Sequence, residues 1–210
     1  MKKVYFIRHG ESEGNAANIR QDATPRLTEK GIRQAEFVAK RCLSLPIELI
    51  VSSTMKRAQE TAGIISQRIN RPIETSNLFI ERRVPSEQVG LRRDNPSSLE
   101  IDKIIEKKFT SPGFRYSDEE GFDDLNARSQ KALSFLGGLP QENILVVTHG
   151  FFMNIILARA IFGENLTGKE CAQFIKKCHM ENTGITVLVF DERKENPWWL
   201  WIWNDHAHLG

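Results

Sequence analysis

Two histidines in this chain stand where an imidazole could do chemistry. Val4-Tyr5-Phe6-Ile7 runs apolar into Arg8-His9-Gly10, and Ile144-Leu145-Val146-Val147 runs through Thr148 into His149-Gly150. A short apolar run bounded by turn residues reads as a buried strand. In open α/β sheets, ligands bind in the crevice beyond the carboxyl ends of the strands, so the two strand ends would present Arg8, His9 and His149 to one pocket. A guanidinium grips phosphate through two parallel N–H donors and stays charged at any working pH. The chemistry that suits the set is therefore attack by His9 on phosphorus. It requires a neutral imidazole with one lone pair free and the other nitrogen donating its proton to a carbonyl. Flanking arginine charge would lower the histidine pKa and keep the ring neutral near pH 7.

The elements that must hold these residues follow from the pattern. Ser12 to Arg26 is small and polar and reads as a loop. Thr28 is a suitable N-cap for a helix to about Leu43, with Ile32, Ala35, Ala39 and Cys42 along one face. Glu48-Leu49-Ile50-Val51 is a second buried strand, closing at Ser52-Ser53, and a helix with Ala58, Ala62, Ile65 and Ile69 at helical spacing follows, stopping before Pro72. Arg57 falls in its first turn, where a cation is slightly unfavourable against the helix dipole unless an anion binds nearby. A short strand over Pro72 to Ser76 leads into Leu78-Phe79-Ile80-Glu81.

Residues 82–120 break the pattern with Pro85, Pro96, Pro112 and scattered basic residues. Within them, Ser97-Ser98-Leu99-Glu100 fits a capping box ahead of Ile101, Ile104, Ile105 and Phe109. The segment reads as a small, mainly helical, lid-like insertion inside a single domain spanning 1–210. A helix carrying Phe122, Leu125, Ala132, Leu133 and Leu136 ends at Gly137-Gly138. Another helix lies near Lys169 to Lys176, and Thr183–Phe190 with Trp198–Trp203 forms an antiparallel pair. Strands alternating with helices predict a three-layer α/β/α fold whose central sheet is mostly parallel, with antiparallel strands near the C-terminus.

Taken together, Arg8-His9-Gly10-Glu11-Ser12, Asn15, Leu27-Thr28-Glu29-Lys30-Gly31 with Gln34-Ala35, Ser52-Ser53 with Arg57-Ala58 and Thr61-Ala62, Glu81, and Val147-Thr148-His149-Gly150 resemble the histidine phosphatase superfamily from end to end. That family includes cofactor-dependent phosphoglycerate mutases and many phosphatases. The resemblance implies a phosphohistidine on His9, with Arg8, Arg57, His149 and Gly150 around the phosphate and Asn15 as a neutral donor. It places the proton donor on Glu81, which would protonate the leaving alkoxide and later deprotonate water. The common family pattern puts a Gly-x-Trp-Glu-Gly segment after that acid; here Glu81 is followed by Arg82-Arg83-Val84-Pro85-Ser86-Glu87, which makes Glu87 a rival. Arg82 and Arg83 are candidate contacts to an anionic substrate. Glu11 is expected to serve architecture, and His149 is expected to hydrogen-bond phosphoryl oxygens, most usefully as a cation.

The bulk composition agrees with an enzyme of small molecules. The chain has 210 residues, 40% hydrophobic and 27% charged, with a net charge of +2, too mild to argue for nucleic acid or membrane binding. Its three cysteines suggest neither a disulfide framework nor a zinc site, and four apolar residues after Met1-Lys2-Lys3 are too few for a signal peptide, so the expected location is cytoplasmic. His206-Ala207-His208 lacks a third ligand, the tryptophans at 198, 199, 201 and 203 suit a packed or edge strand, and His179 has no evident partner. The expectation is a phosphomonoesterase that needs no metal or cofactor and acts on a small phosphorylated metabolite, with a phosphoprotein as the other substrate class. A phosphoglycerate mutase using the same residues is the alternative, and a catalytically silent phosphate-binding regulator the second. Oligomeric state is open, a dimer included.

Overall fold

The computed structural model describes all 210 residues. In chain order the elements are β1 (Lys2–Arg8), a single-turn helix α1 (Glu13–Ala16), α2 (Glu29–Cys42), β2 (Leu49–Ser52), α3 (Lys56–Ile69) and β3 (Ile73–Thr75). There follow α4 (Pro96–Lys108), α5 (Phe122–Gly138), β4 (Asn143–Thr148), α6 (Gly150–Phe162), α7 (Gly168–Lys177), β5 (Ile185–Phe190) and β6 (Trp198–Asp205). The sheet order is β3-β2-β4-β1-β5-β6. β3, β2, β4 and β1 are mutually parallel, while β5 runs antiparallel to β1 and β6 antiparallel to β5. This is the predicted α/β architecture.

β1 is buried on both faces, so its side chains alternate between two cores. Val4 and Phe6 join one core with α5 and α6, built on Leu125, Leu136, Phe152 and Ile156. Tyr5 and Ile7 join the other with α2 and α3, built on Val38, Ala39, Ala62 and Ile65. Lys2, only 8% exposed, donates to the carbonyls of Leu136, Gly137 and Leu139, satisfying acceptors that the end of α5 leaves unpaired.

Several local expectations are corrected. Ser12 to Arg26 contains α1, which a reciprocal cap between Ser12 and Asn15 nucleates. Ile32 is exposed and Val38 takes its place on the buried face of α2, while Ile104 of α4 is also exposed and Ile105 is buried. The capping box at Ser97 is not used. Asn95 caps α4 by accepting the Ser97 N–H, because Pro96 is preorganised for the first helical position and moves the start upstream. Leu78 and Phe79 lie in a 3₁₀ turn, Asn77–Phe79. No helix is long and apolar enough to cross a membrane; the apolar stretch from Ile144 is a buried strand followed by a buried helix.

Candidate active site

Register brings the two histidines together. β1 and β4 are adjacent and parallel with Arg8 opposite Thr148, so the next residue of each, His9 and His149, leaves the sheet at the same level. Their ring centroids are 5.0 Å apart. Ser53, at the end of neighbouring β2, stands beside them, its N–H bonded to the Val147 carbonyl. The chain can turn here only because Gly10 and Gly31 lack side chains. A Cβ on Gly10 would lie 2.5 Å from the Gly31 carbonyl oxygen, and one on Gly31 would lie 2.0 Å from that of Glu11. Glu11 holds this crossing through Thr28 and Lys30, the architectural role expected of it.

Around His9 the hydrogen bonds define a tautomer. Nδ1 lies 2.7 Å from the Gly10 carbonyl and donates to it, while Nε2 accepts from Arg57 Nε at 3.1 Å. The Nε2 lone pair therefore faces the guanidinium, where a phosphate would sit. Burial first, then the charges of Arg57 and Arg8, hold His9 well below the ordinary histidine range. Arg57 is 1% exposed in the first turn of α3; it also donates to the Asp22 carbonyl, and burial brings its pKa down to about 10, which leaves it charged.

His149 differs from expectation. Burial, then His9, Arg57 and Arg8, push its pKa well below the ordinary value, so the resting ring is neutral rather than cationic. Ser53 Oγ accepts the Met55 N–H and lies 2.8 Å from His149 Nε2. Its hydroxyl proton is free to be donated to Nε2, which leaves the proton of a neutral His149 on Nδ1. That Nδ1 and the Nε of Arg8 are buried polar atoms without a partner. Arg8 lines the pocket, while His149 is wholly buried and does not; an unsatisfied buried polar group is costly, and an anion reaching both donors would relieve that cost.

Glu81 and Glu87 part company. Glu81 lines the pocket, its carboxylate accepting the backbone N–H groups of Arg82, Phe151 and Phe152 and so capping the start of α6. Glu87 is at the surface, accepting from Ser117 Oγ, and takes no part in the pocket. Asn15 also lines the pocket; Ser12 occupies its Oδ1, leaving the amide Nδ2 as the donor. Gly150 lines it beside Arg8. Arg82 does so too, but its guanidinium is tied to the buried Glu119 at 2.6 Å and stacks on Phe151. Arg83 lies outside the pocket with its Nε on the Asp118 carbonyl.

Sequence reading missed the segment from Cys178 to Thr183, which braces the floor. The Met180 carbonyl accepts from Arg8 Nη1 at 2.6 Å, Asn182 Nδ2 donates to the His9 carbonyl at 2.7 Å, and the Thr183 N–H donates to the Arg8 carbonyl. The Thr61 hydroxyl likewise accepts the Gly10 N–H. His179, without evident partner in the sequence, lines the cavity, whose volume is about 540 Å³.

Two buried neutral imidazoles have a consequence for stability. In the unfolded chain each would bind a proton near pH 6.5, while in the folded protein neither does until much lower pH. The unfolded state then holds more protons, so stability is full above about pH 6.5 and falls as pH drops below it, by about 1 kcal/mol per histidine over the first unit. The urea midpoint is expected to be lower at pH 5.5 than at 7.5; an unchanged midpoint would count against neutral burial.

Residues 4–206 match the family model described as Histidine phosphatase superfamily (branch 1), and the chain belongs to that family. It is 35% identical to the protein named Probable phosphoglycerate mutase GpmB from Photorhabdus laumondii, over 75% of this chain and 74% of the relative. With the protein of the same name from Yersinia pestis it shares 30% identity over 100% of this chain and 95% of the relative. Among solved structures, Bacillus stearothermophilus YhfR superposes with a TM-score of 0.83 at 25% identity, covering 100% of both chains. A mutant phosphoserine phosphatase from Entamoeba histolytica, in complex with phosphoserine, gives 0.77 at 26%, again over 100% of both chains. The chain is thus an enzyme of phosphoryl transfer or hydrolysis.

Proposed function

We propose that the chain is a phosphomonoesterase working through a phosphohistidine on His9. The observation that carries this is the pairing of His9 Nε2 with Arg57 Nε while Nδ1 is anchored on the Gly10 carbonyl. A substrate phosphate entering between them would exchange the Arg57–His9 contact for bonds from Arg57, Arg8 Nε, His149 Nδ1 and Asn15 Nδ2 to its oxygens. His9 Nε2 attacks phosphorus, the P–O ester bond breaks, and Glu81, entering this step as the carboxylic acid, gives its proton to the leaving alkoxide. Glu81 then takes a proton from water, whose oxygen attacks the phosphohistidine; the P–N bond breaks, and inorganic phosphate leaves. Arginines and a neutral donor supply the charge stabilisation that phosphoryl transfer chiefly needs.

The second reading is a phosphoglycerate mutase, favoured by the names of the GpmB relatives. It differs in returning the phosphoryl group to a bound product, which demands that water be kept out. Here residues 82–120 contribute only Arg82, Val84 and Arg93 to one wall of an open pocket, which favours water as acceptor. The completeness of the residue set argues against a silent regulator. The deciding assay is incubation with 3-phosphoglycerate and a bisphosphoglycerate primer. Release of phosphate in excess of isomerisation is expected; efficient isomerisation would establish the mutase. Activity is also expected to persist in excess chelator, and loss restored by a divalent metal would contradict the mechanism. The same proposal assigns a small phosphorylated metabolite as substrate and places the protein in the cytoplasm, where its three free cysteines fit a reducing compartment.

A further inference from the structure

From Phe152 to Ala158 every residue of α6 is buried, and all are apolar except Asn154. Asn154 is 6% exposed and lines the active-site pocket. A buried amide has two ends to satisfy, a donor and an acceptor. Nδ2 donates to the Cys178 carbonyl at 3.1 Å, fastening α6 to the residue that ends α7. That bond also fixes which way the amide points, because an oxygen in the place of Nδ2 would meet another oxygen. The free end is therefore Oδ1, a buried acceptor without a partner. Joining the two helices accounts for Nδ2 and leaves Oδ1 unexplained, and an acceptor buried unpaired is costly.

The other acceptors of the pocket are committed or wet. Glu81 takes the backbone N–H groups of Arg82, Phe151 and Phe152, the Met180 carbonyl takes Arg8, and Gln21 Oε1 lies 3.0 Å from the Ser12 hydroxyl. Glu181 is exposed to solvent. Asn154 lies one turn along α6 from Gly150, about 6 Å at the usual helical rise. Gly150 in turn abuts Arg8, where a Cβ would stand 3.3 Å from the guanidinium Nε. A phosphate dianion has no proton to give, so a donor reaching Oδ1 belongs to the alcohol part of the ester. The pocket sets Arg8, Arg20, Arg57, Arg82 and Arg93 against Glu81 and Glu181 alone. Such an excess of positive charge disfavours an ammonium and leaves a neutral hydroxyl as the fitting donor.

We propose that Asn154 Oδ1 accepts a hydrogen bond from a hydroxyl of the leaving alcohol, so that the substrate is a phosphomonoester of a polyol. This rests on the phosphomonoesterase reading and deepens it. A site that offers a buried acceptor rejects an ester lacking the donor, because the acceptor is then left unpaired, and the discrimination is about ten-fold or more.

The test compares kcat/KM for esters of equal chain length. 2-Hydroxypropyl and 3-hydroxypropyl phosphate are each set against propyl phosphate, and at least one of the two ratios should be about ten or more in the wild type. Asn154→Leu, which removes the acceptor at similar volume, should bring that ratio to about one, while Asn154→Asp, which keeps an acceptor oxygen, should hold part of it. A thermal melt of each variant separates loss of the Cys178 contact from loss of the acceptor. Wild-type ratios near one, or a ratio that Asn154→Leu leaves unmoved, would overturn the subsite. So would a preference confined to 3-aminopropyl phosphate, which would make it a site for a cation. Calorimetric binding of the same esters to His9→Gln gives the ratios without turnover. Should wild-type protein hydrolyse none of them, the hydrolase reading would fall, while the ratio of Kd values and its response to Asn154→Leu in that background would still judge the subsite.

Discussion

His9→Ala is expected to lower turnover of p-nitrophenyl phosphate on the order of 10⁴-fold or more, because it removes the atom that forms the covalent bond. The residual pocket would still bind phosphate through Arg8, Arg57 and His149, so the loss should fall on kcat more than on KM. Rapid quenching after mixing with substrate should trap an acid-labile phosphoryl group on the wild type and none on the variant. Undiminished turnover by His9→Ala would end the mechanism. The substitution also opens a void beside Arg57, whose Nε would lose its partner. A thermal melt must therefore accompany the assay, to separate lost chemistry from a lost fold.

Glu81→Gln should reduce kcat about 10²- to 10⁴-fold, the usual contribution of a positioned proton donor. The amide oxygen can take the place of Oε1 and keep the N–H groups of Phe152 and Arg82, while the longer bond from the Phe151 N–H to Oε2 is lost, so a thermal melt must accompany this assay too. The loss should be larger for an alkyl phosphate, whose alkoxide needs a proton, than for p-nitrophenyl phosphate, whose phenolate leaves readily. Glu87→Gln, altering a surface contact with Ser117, should change kcat less than two-fold, as surface changes remote from a site commonly do. A reversal of these two results would move the proton donor to Glu87.

The parts of the site readable in sequence were those written locally. An apolar run that stops at His-Gly announces both a strand and what stands at its end, and two such runs mark Arg8, His9 and His149 from the sequence alone. The protonation of His149 was not readable, because it depends on complete burial next to His9 and two arginines. Nor was the choice between Glu81 and Glu87, two carboxylates six positions apart that only the start of α6 distinguishes. Asn182 was invisible for another reason. It acts across a gap in sequence, on the His9 carbonyl, and nothing in its own neighbourhood marks it. Where two local signals overlapped, as at Asn95 and Ser97, the rigid φ of Pro96 decided.

The position of β1 in the sheet has a consequence for how the protein is made. β1 pairs only with β4 and β5, which follow it by more than 130 residues. At ~5–20 residues per second, the nascent Val4-Tyr5-Phe6-Ile7 waits on the order of ten seconds for a neighbour. A strand so apolar, left unpaired, is open to association with other chains. Lys2 and Lys3 precede its apolar run and Arg8 closes it, and like charges at both ends oppose stacking with a second copy. On the proposed mechanism Arg8 would then serve twice in the life of the molecule, guarding the strand during synthesis and gripping phosphate once the sheet has closed.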